Sequence, residues 1–155
     1  MDLHGTQCAV ATRLVAYLYE KVANYIPDQQ RALSFVDKFD YNAWADELKE
    51  FLGTGANAMI KLEQKERKYD KELHKSRLKV IIEKWNEIVN IIKTEIPTGK
   101  QIDDILQQIG APKTAKEIGI DCDLLTTLKA TKDIRDKYVL SRLLWDLGIL
   151  DEIEI

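Results

Sequence analysis

The chain has 155 residues, of which 45% are apolar and 32% charged, and its formal net charge is -3. This size and balance are typical of one globular domain and argue against a disordered segment. The negative net charge argues against general nucleic-acid binding, which needs a basic surface. No run approaches the about 18 consecutive apolar residues of a membrane span. A signal-peptide pattern is also missing, so we expect no membrane contact.

The two cysteines, Cys8 and Cys122, lie far apart and outside any CxxC spacing. A disulfide framework is therefore not expected, and such cysteine usage is typical of a reducing compartment. We predict a cytoplasmic protein.

In chain order, the first predicted helix spans about residues 5–25. Its apolar residues recur at the spacing of one helical stripe and are Ala11, Val15, Leu18, Val22 and Ile26. The first turns, CAVA at 8–11, are small and apolar all round, which predicts burial on every side. Pro27 ends this helix, and Asp28 and Asp40 are the predicted N-caps of the next two helices.

The middle of the chain has the cleanest amphipathic pattern, at positions i, i+3, i+4, i+7, i+10, i+11 and i+14. The residues of this stripe are Leu78, Ile81, Ile82, Trp85, Ile88, Val89 and Ile92. We predict one helix over 70–95, about 39 Å long at 1.5 Å per residue, which Pro97 ends. The charged run at 61–84 mixes both signs. This favours a solvated helix face with i,i+4 ion pairs over a site for an acidic partner or a phosphate.

Short helices are predicted in the last third. Thr114 and Glu117 have the spacing of a capping box, and the closing helix covers about 139–147, where Gly148 ends it. No alternating strand pattern and no internal repeat occurs along the chain. We therefore predict an all-α, multi-helix fold that forms one domain over 1–155.

Few residues suggest chemistry, and each has a structural alternative. His4 stands beside Gly5 at the start of the first predicted helix. It is either a metal ligand, a catalytic group or a surface histidine, and composition and spacing alone favour the last. His74 lies in the charged run and is predicted to be exposed. Cys8 has no cationic neighbour in sequence, so we predict a buried core residue rather than a nucleophile. No HExxH, CxxC or glycine-rich phosphate motif completes a metal or nucleotide site.

Two further features are interpreted as structural. The three tryptophans, Trp44, Trp85 and Trp145, lie in apolar helix faces and are predicted core residues rather than a ligand cage. The segment KDIRDKY at 132–138 alternates charges at a helix junction. It is either an ion-pair node or a partner contact, and we favour the ion-pair node.

Two segments near the ends of the chain resemble a known family. They are LHGTQCAVATRLVAYLYEKV at 3–22 and IGAPKTAKEIGIDCDLLTTLKATKDIRDKYVLSRLLWDLGIL at 109–150. Together they resemble the C-terminal helical domain of the sn-glycerol-1-phosphate dehydrogenases, in the iron-containing alcohol dehydrogenase and glycerol dehydrogenase superfamily. That family typically shows LHGxQVGVGT at the start of a long buried helix and GAPxTxxEIGI followed by KDIRDRYTxLxLLWDLG near its end. Cys8 and Ala9 stand where the family usually has Val and Gly.

The resemblance implies a fold similar to the C-terminal half of dehydroquinate synthase-like and iron-containing alcohol dehydrogenase proteins. Complete enzymes of the family reduce dihydroxyacetone phosphate to sn-glycerol 1-phosphate with NADH or NADPH. A divalent metal, commonly zinc and in some bacterial members nickel, polarises the carbonyl. One Asp and two His hold this metal in the family. His4 matches the histidine of the HG motif, which is one of these ligands.

In the family, the nucleotide-binding half and the other two metal ligands precede the HG motif. We therefore expect an N-terminal nucleotide-binding domain to be absent from this chain and His4 to be a metal ligand only in a completed site. No catalytic residue and no cofactor-binding residue is predicted within the chain. We expect neither dehydrogenase turnover nor tight zinc binding by the chain alone.

Three functions remain open from the sequence. The chain is the helical metal and substrate domain of such a dehydrogenase, or it reassociates with a separate N-terminal nucleotide-binding half. Alternatively, it is a non-enzymatic interaction or dimerisation module derived from such an enzyme, which would form a homo-oligomer to cover its apolar surface. The first ranks highest. No nucleic-acid partner is expected.

Overall fold

The computed structural model describes residues 4–154. Over this range nine α-helices and three short 3₁₀ segments follow one another, and no described residue lies in a strand. The all-α prediction is therefore confirmed. The helices are α1 (His4–Ala23), α2 (Gln29–Asp37), α3 (Tyr41–Leu52), α4 (Ala56–Glu66), α5 (Lys71–Glu83), α6 (Trp85–Glu95), α7 (Gly99–Gln108), α8 (Leu124–Thr131) and α9 (Leu140–Asp146). None of these described helices has the length and apolar character needed to cross a bilayer.

The described residues group into two compact units. Residues 4–26 and 85–124 form the first unit, and Pro27–Lys84 with Leu125–Glu154 form the second. Each helix lies in one unit except α8, whose first residue belongs to the first unit. We predicted a single domain over 1–155. This division into two units does not test that prediction.

In the first unit, α1 packs against α6 and α7. The apolar side chains that these three helices bury are Ala16, Leu18, Val22, Ile92 and Leu106. Gly99 begins α7 and is buried, and a Cβ placed there would lie 2.6 Å from the ring of Tyr17. Only glycine therefore allows α7 to approach α1 this closely. Trp85 is half-buried, and its indole N–H donates to the Tyr25 carbonyl at 3.1 Å.

In the second unit, α2 packs on α5, α3 on α4, and α5 on α9. Every residue from 140 to 150 is buried. Gly148 follows α9 with φ +71°, and a Cβ there would lie 3.1 Å from Ala32 Cα. The turn after α9 therefore needs glycine both for its backbone conformation and for the close approach of α2. The predicted core positions of Trp44 and Trp145 are confirmed, since both are buried.

The predicted helix caps are present. The Asp28 carboxylate accepts the third amide of α2 at 3.0 Å, and the Asp40 carboxylate accepts two amides of α3 at 2.8 and 3.1 Å. Glu117 accepts the Thr114 amide at 2.8 Å, while the Thr114 hydroxyl accepts the Glu117 amide at 3.3 Å. These contacts satisfy amides that have no partner within their own helix.

The prediction of one helix over 70–95 is wrong, because α5 and α6 are separate helices with Lys84 between them. Lys84 is also the boundary between the two units. Leu78 and Ile81 are buried in the second unit, whereas Ile92 is buried in the first. The sequence shows one continuous apolar stripe, but periodicity does not reveal that its two halves belong to different cores.

Candidate functional site

His4 is the first residue of α1, and its side chain is exposed. The Cys8 Sγ lies 3.4 Å from His4 Nε2, one helical turn further along. Cys8 is exposed as well, so the predicted burial of this cysteine is wrong. Imidazole and thiol groups are both ligands that zinc accepts.

These two side chains are not a complete metal site. Among residues 4–154, no group of three or more His, Cys, Asp or Glu side chains is placed to hold a metal ion. Zinc sites in proteins generally use three or more protein ligands. The described residues therefore do not fit a resident metal by themselves, and any metal site that includes His4 needs ligands from elsewhere.

The start of α1 carries an uncovered surface. Burial on every side was predicted for 8–11, yet Cys8 and Ala11 are exposed and the two residues between them are only partly covered. Further along the helix there is an apolar groove of about 300 Å³. The residues that line it are Ala11, Thr12, Val15, Ala16, Tyr19, Ile96 and Pro97. The small side chains indicated close packing, and the described part of the first unit does not supply it.

A polar contact joins α1 to α7 beyond this surface. The Tyr17 hydroxyl donates to Asp103 Oδ2 at 2.6 Å, and the Arg13 guanidinium donates to both carboxylate oxygens. The bond from Arg13 lowers the pKa of Asp103, and the bond to Asp103 raises the pKa of Tyr17. No sequence pattern indicates this cluster, because its partners are about ninety residues apart and only helix packing brings them together.

His74, predicted to be exposed, is fully buried in the second unit. Its Nε2 donates to the Asp146 carbonyl at 2.9 Å, and its Nδ1 has no partner among the described residues. Burial lowers the pKa of His74, which favours the neutral imidazole. Its exposed neighbours Lys71, Glu72 and Lys75 explain the wrong prediction, since they show only the outer face of α5.

Asp146 is a buried carboxylate with several partners. Arg77 binds both of its oxygens at 3.1 Å, and the Tyr138 hydroxyl donates to Oδ2 at 2.8 Å. Arg142 Nε lies 3.8 Å from Oδ1. Desolvation and the Asp146 charge together raise the pKa of Tyr138. A carboxylate without solvent needs such pairing to remain ionised.

Asp133 is a second buried carboxylate. It accepts hydrogen bonds from Tyr69 Oη at 2.6 Å, Lys132 Nζ at 2.8 Å and Trp44 Nε1 at 3.0 Å. Desolvation lowers the pKa of Lys132 and raises that of Tyr69. The predicted ion-pair node is therefore confirmed at the first two residues of the segment, while residues 134–138 are exposed.

A cavity of about 580 Å³ adjoins this second carboxylate. Its charged lining includes Glu47, Lys129, Lys132 and Asp133, together with the Trp44 indole. The lysines are already paired, Lys132 with Asp133 at 2.8 Å and Lys129 with a carboxylate of the 3₁₀ segment Leu150–Glu152 at 2.6 Å. The cavity therefore offers no unpaired cation to an anionic substrate.

No protein-family model matches the chain, and neither a curated protein nor a solved structure matches it. A functional proposal therefore depends on the two family-like segments and on the geometry of His4 and its surroundings.

Proposed function

We propose that the chain is the C-terminal helical domain of a metal-dependent, NAD(P)-linked sn-glycerol-1-phosphate dehydrogenase-like protein of the cytoplasm. The single observation that carries the proposal is the exposed imidazole of His4 on the first residue of α1. This is the position that the HG-motif histidine occupies in the family-like segment. The complete enzyme would reduce dihydroxyacetone phosphate and would have the fold of the dehydroquinate synthase-like superfamily.

The exposure of His4 supports a shared metal site. An imidazole that is buried or bound within its own domain is not available to a metal held partly by another domain. In this chain His4 is exposed, and its side chain contacts the equally exposed Cys8 thiol. Zinc or nickel and NAD(P) would be bound in the complete enzyme, whose remaining ligands and nucleotide site lie outside the described residues. The chain by itself would therefore be inactive.

The uncovered groove on α1 supports a large partner on the same helix. The groove begins at Ala11, less than two helical turns after His4, and its wall is mostly apolar. An apolar surface of this kind marks an interaction site more often than a solvated face. A nucleotide-binding half, in the same or a separate polypeptide, would cover it and complete the metal site.

A fusion protein tests the proposal. The nucleotide-binding half of a glycerol-1-phosphate dehydrogenase is joined to the start of the chain, so that linkage supplies proximity. We expect this fusion to retain zinc and to oxidise NADH with dihydroxyacetone phosphate. His4→Ala should abolish both, whereas Gln30→Ala, an exposed control on α2, should change neither.

Two results contradict the proposal. The first is a fusion that binds NADH, and so has an intact nucleotide half, but holds zinc equally well with His4 and with His4→Ala. The second is turnover of dihydroxyacetone phosphate by the 155-residue chain alone, because the described residues would then contain a complete site.

A second candidate function is a non-enzymatic interaction or dimerisation module. The apolar groove on α1 favours it, since a second copy would cover the same surface. Sedimentation velocity at several concentrations distinguishes the two. A module that dimerises through the groove should become monomeric with Val15→Asp and stay dimeric with His4→Ala, whereas a strictly monomeric wild-type chain contradicts it.

A further inference from the structure

We propose that a cavity in the second unit binds a small organic ammonium ion through the carboxylate of Glu63. The cavity measures about 330 Å³ and is lined by Phe39, Tyr41, Glu63 and Tyr69, with Arg67 and Lys71 among its other residues. All of these residues belong to the second unit, whereas His4 belongs to the first. The inference is therefore independent of the proposed dehydrogenase function.

Glu63 is a buried acid that lacks a cation. Its exposed fraction is 6%, and its Oε1 accepts the Tyr69 amide at 3.2 Å. No lysine, arginine or histidine between residues 4 and 154 forms an ion pair with it. A carboxylate withdrawn from water is costly unless a proton or a cation neutralises it. Glu63 thus gives the cavity a buried carboxyl group that has no cationic partner among the described residues.

The two cations on the cavity wall are already paired with other acids. Arg67 forms an ion pair with Asp70. Lys71 lies 3.4 Å from an Asp37 carboxylate oxygen and donates to the Asp37 carbonyl at 3.1 Å. These pairs leave Glu63 without a cation of its own, so a cation that enters the cavity has one unpaired carboxyl group to bind.

A second polar group in the cavity faces Glu63. The Tyr41 hydroxyl oxygen is buried without a hydrogen bond of ordinary geometry to a described residue, and Glu63 is near enough to act on its pKa. Burial raises its pKa to about 12, with a further contribution from Glu63, so the phenol is neutral at physiological pH. Its oxygen accepts a hydrogen bond from any N–H donor that enters the cavity.

The walls of the cavity suit an organic cation. The rings of Phe39 and Tyr41 line the cavity, while the Tyr69 ring stacks on Phe39 at a centroid distance of 4.2 Å and has Arg142 4.8 Å from its centroid. Aromatic surfaces attract ammonium groups and contact their apolar substituents. A hard metal ion such as Ca²⁺ needs six to eight oxygen ligands, and one carboxylate with one phenol does not supply them. A small primary ammonium ion uses every feature: N–H donors for Glu63 and Tyr41, and a hydrocarbon part for the rings.

The test titrates the full chain with ethylammonium chloride and follows amide resonances by NMR. The Tyr69 amide is the natural reporter, because it donates to Glu63. We expect a saturable shift of this resonance that sodium chloride does not produce. Tetramethylammonium, which has no N–H donor, should bind at least about threefold more weakly.

Matched glutamate variants locate the site. Glu63→Gln keeps the acceptor oxygen for Tyr69 and removes the charge, and it should weaken ethylammonium binding at least about tenfold. Glu66→Gln, an exposed residue on the same helix, should leave binding unchanged. Tyr41→Phe should weaken it by about threefold. Ethylammonium should also raise the melting temperature of the wild-type chain and of Glu66→Gln, but not that of Glu63→Gln.

Several outcomes overturn the inference. One is the absence of a saturable shift in the wild-type chain at salt-matched concentrations. Another is equal ethylammonium affinity in the wild-type chain and Glu63→Gln. If Glu63→Gln does not fold, Tyr41→Phe decides, and unchanged affinity in that variant contradicts the site.

Discussion

The two units differ in how they bury charge. Each polar or charged residue found buried in residues 4–154 belongs to the second unit. These residues are Glu63, His74, Lys132, Asp133, Ser141, Arg142 and Asp146. The first unit keeps its ion pairs at least partly exposed, including that of Arg13 with Asp103. The second unit therefore combines an apolar core with buried polar contacts, whereas the described residues of the first unit bury apolar side chains only.

The largest effect is expected from Asp146→Ala. This change leaves Arg77 and Arg142 without their buried carboxylate, and unfolding should become easier by about 3–5 kcal/mol. Asp104→Ala is the control in the first unit. It removes an exposed i,i+4 pair with Lys100 and should cost about 0.5 kcal/mol. Urea unfolding of both variants measures the difference, and equal losses would remove the contrast between the units.

Glycine-to-alanine substitutions should change the free energy of unfolding in opposite directions in the two units. Gly148→Ala forces a side chain into the left-handed region and against Ala32 at 3.1 Å, and it should destabilise by about 2 kcal/mol. In the first unit, a Cβ on Gly5 meets nothing within 4 Å. Gly5 lies in a helix, so Gly5→Ala should stabilise by about 0.5 kcal/mol. Thermal unfolding tests both, and a stabilising Gly148→Ala would contradict the close packing of this turn.

Acid should destabilise the second unit through His74. Its pKa is lowered in the folded protein from the ordinary 6.5, so the unfolded chain binds the proton more readily. Stability should therefore fall as the pH drops below about 6.5 and should level off once the lowered folded pKa is passed, with a slope of at most about 1.4 kcal/mol per pH unit.

The measurement is the free energy of unfolding between about pH 7 and pH 5. His74→Gln should remove the slope in this window, and His4→Ala should leave it unchanged because that side chain is exposed. A slope that persists in His74→Gln assigns the acid sensitivity to another group and contradicts this prediction.

A modest effect is expected from Asp103→Asn. The change weakens the bonds from Arg13 and Tyr17, which lie partly in solvent, and should cost about 1 kcal/mol. Chemical denaturation checks it against Asp104→Asn, which should cost at most about 0.5 kcal/mol. A loss as large as that of Asp146→Ala would show that the first unit also depends on its polar contacts.

Much of the local structure could be predicted from the sequence. Asp28 and Asp40 begin helices, Gly148 ends the last one, and Thr114 forms a box with Glu117, because caps depend on residues within one turn. The stripe at 78–92 gave the helical period but not the break at Lys84. That break depends on which core each half joins.

The candidate site was less predictable. His4 was identified from the HG motif, and the structure places its side chain in the open, but its role as a metal ligand stays a prediction. The ammonium site had no signal at all, because Glu63 lies in a run of alternating charges that indicates a solvated face. The sequence of such a run looks the same whether one of its acids is buried or all of them are exposed.

Most helices and their ends follow from the order of the residues, since period, caps and glycines act within a few positions. Which polar side chains become buried depends instead on how distant helices pack. Trp44 meets Asp133 across 89 positions of the chain, and His74 meets Asp146 across 72. Each of these groups is polar in the sequence, whatever its surroundings. Its burial depends on partners that the packing of distant helices brings within hydrogen-bond distance.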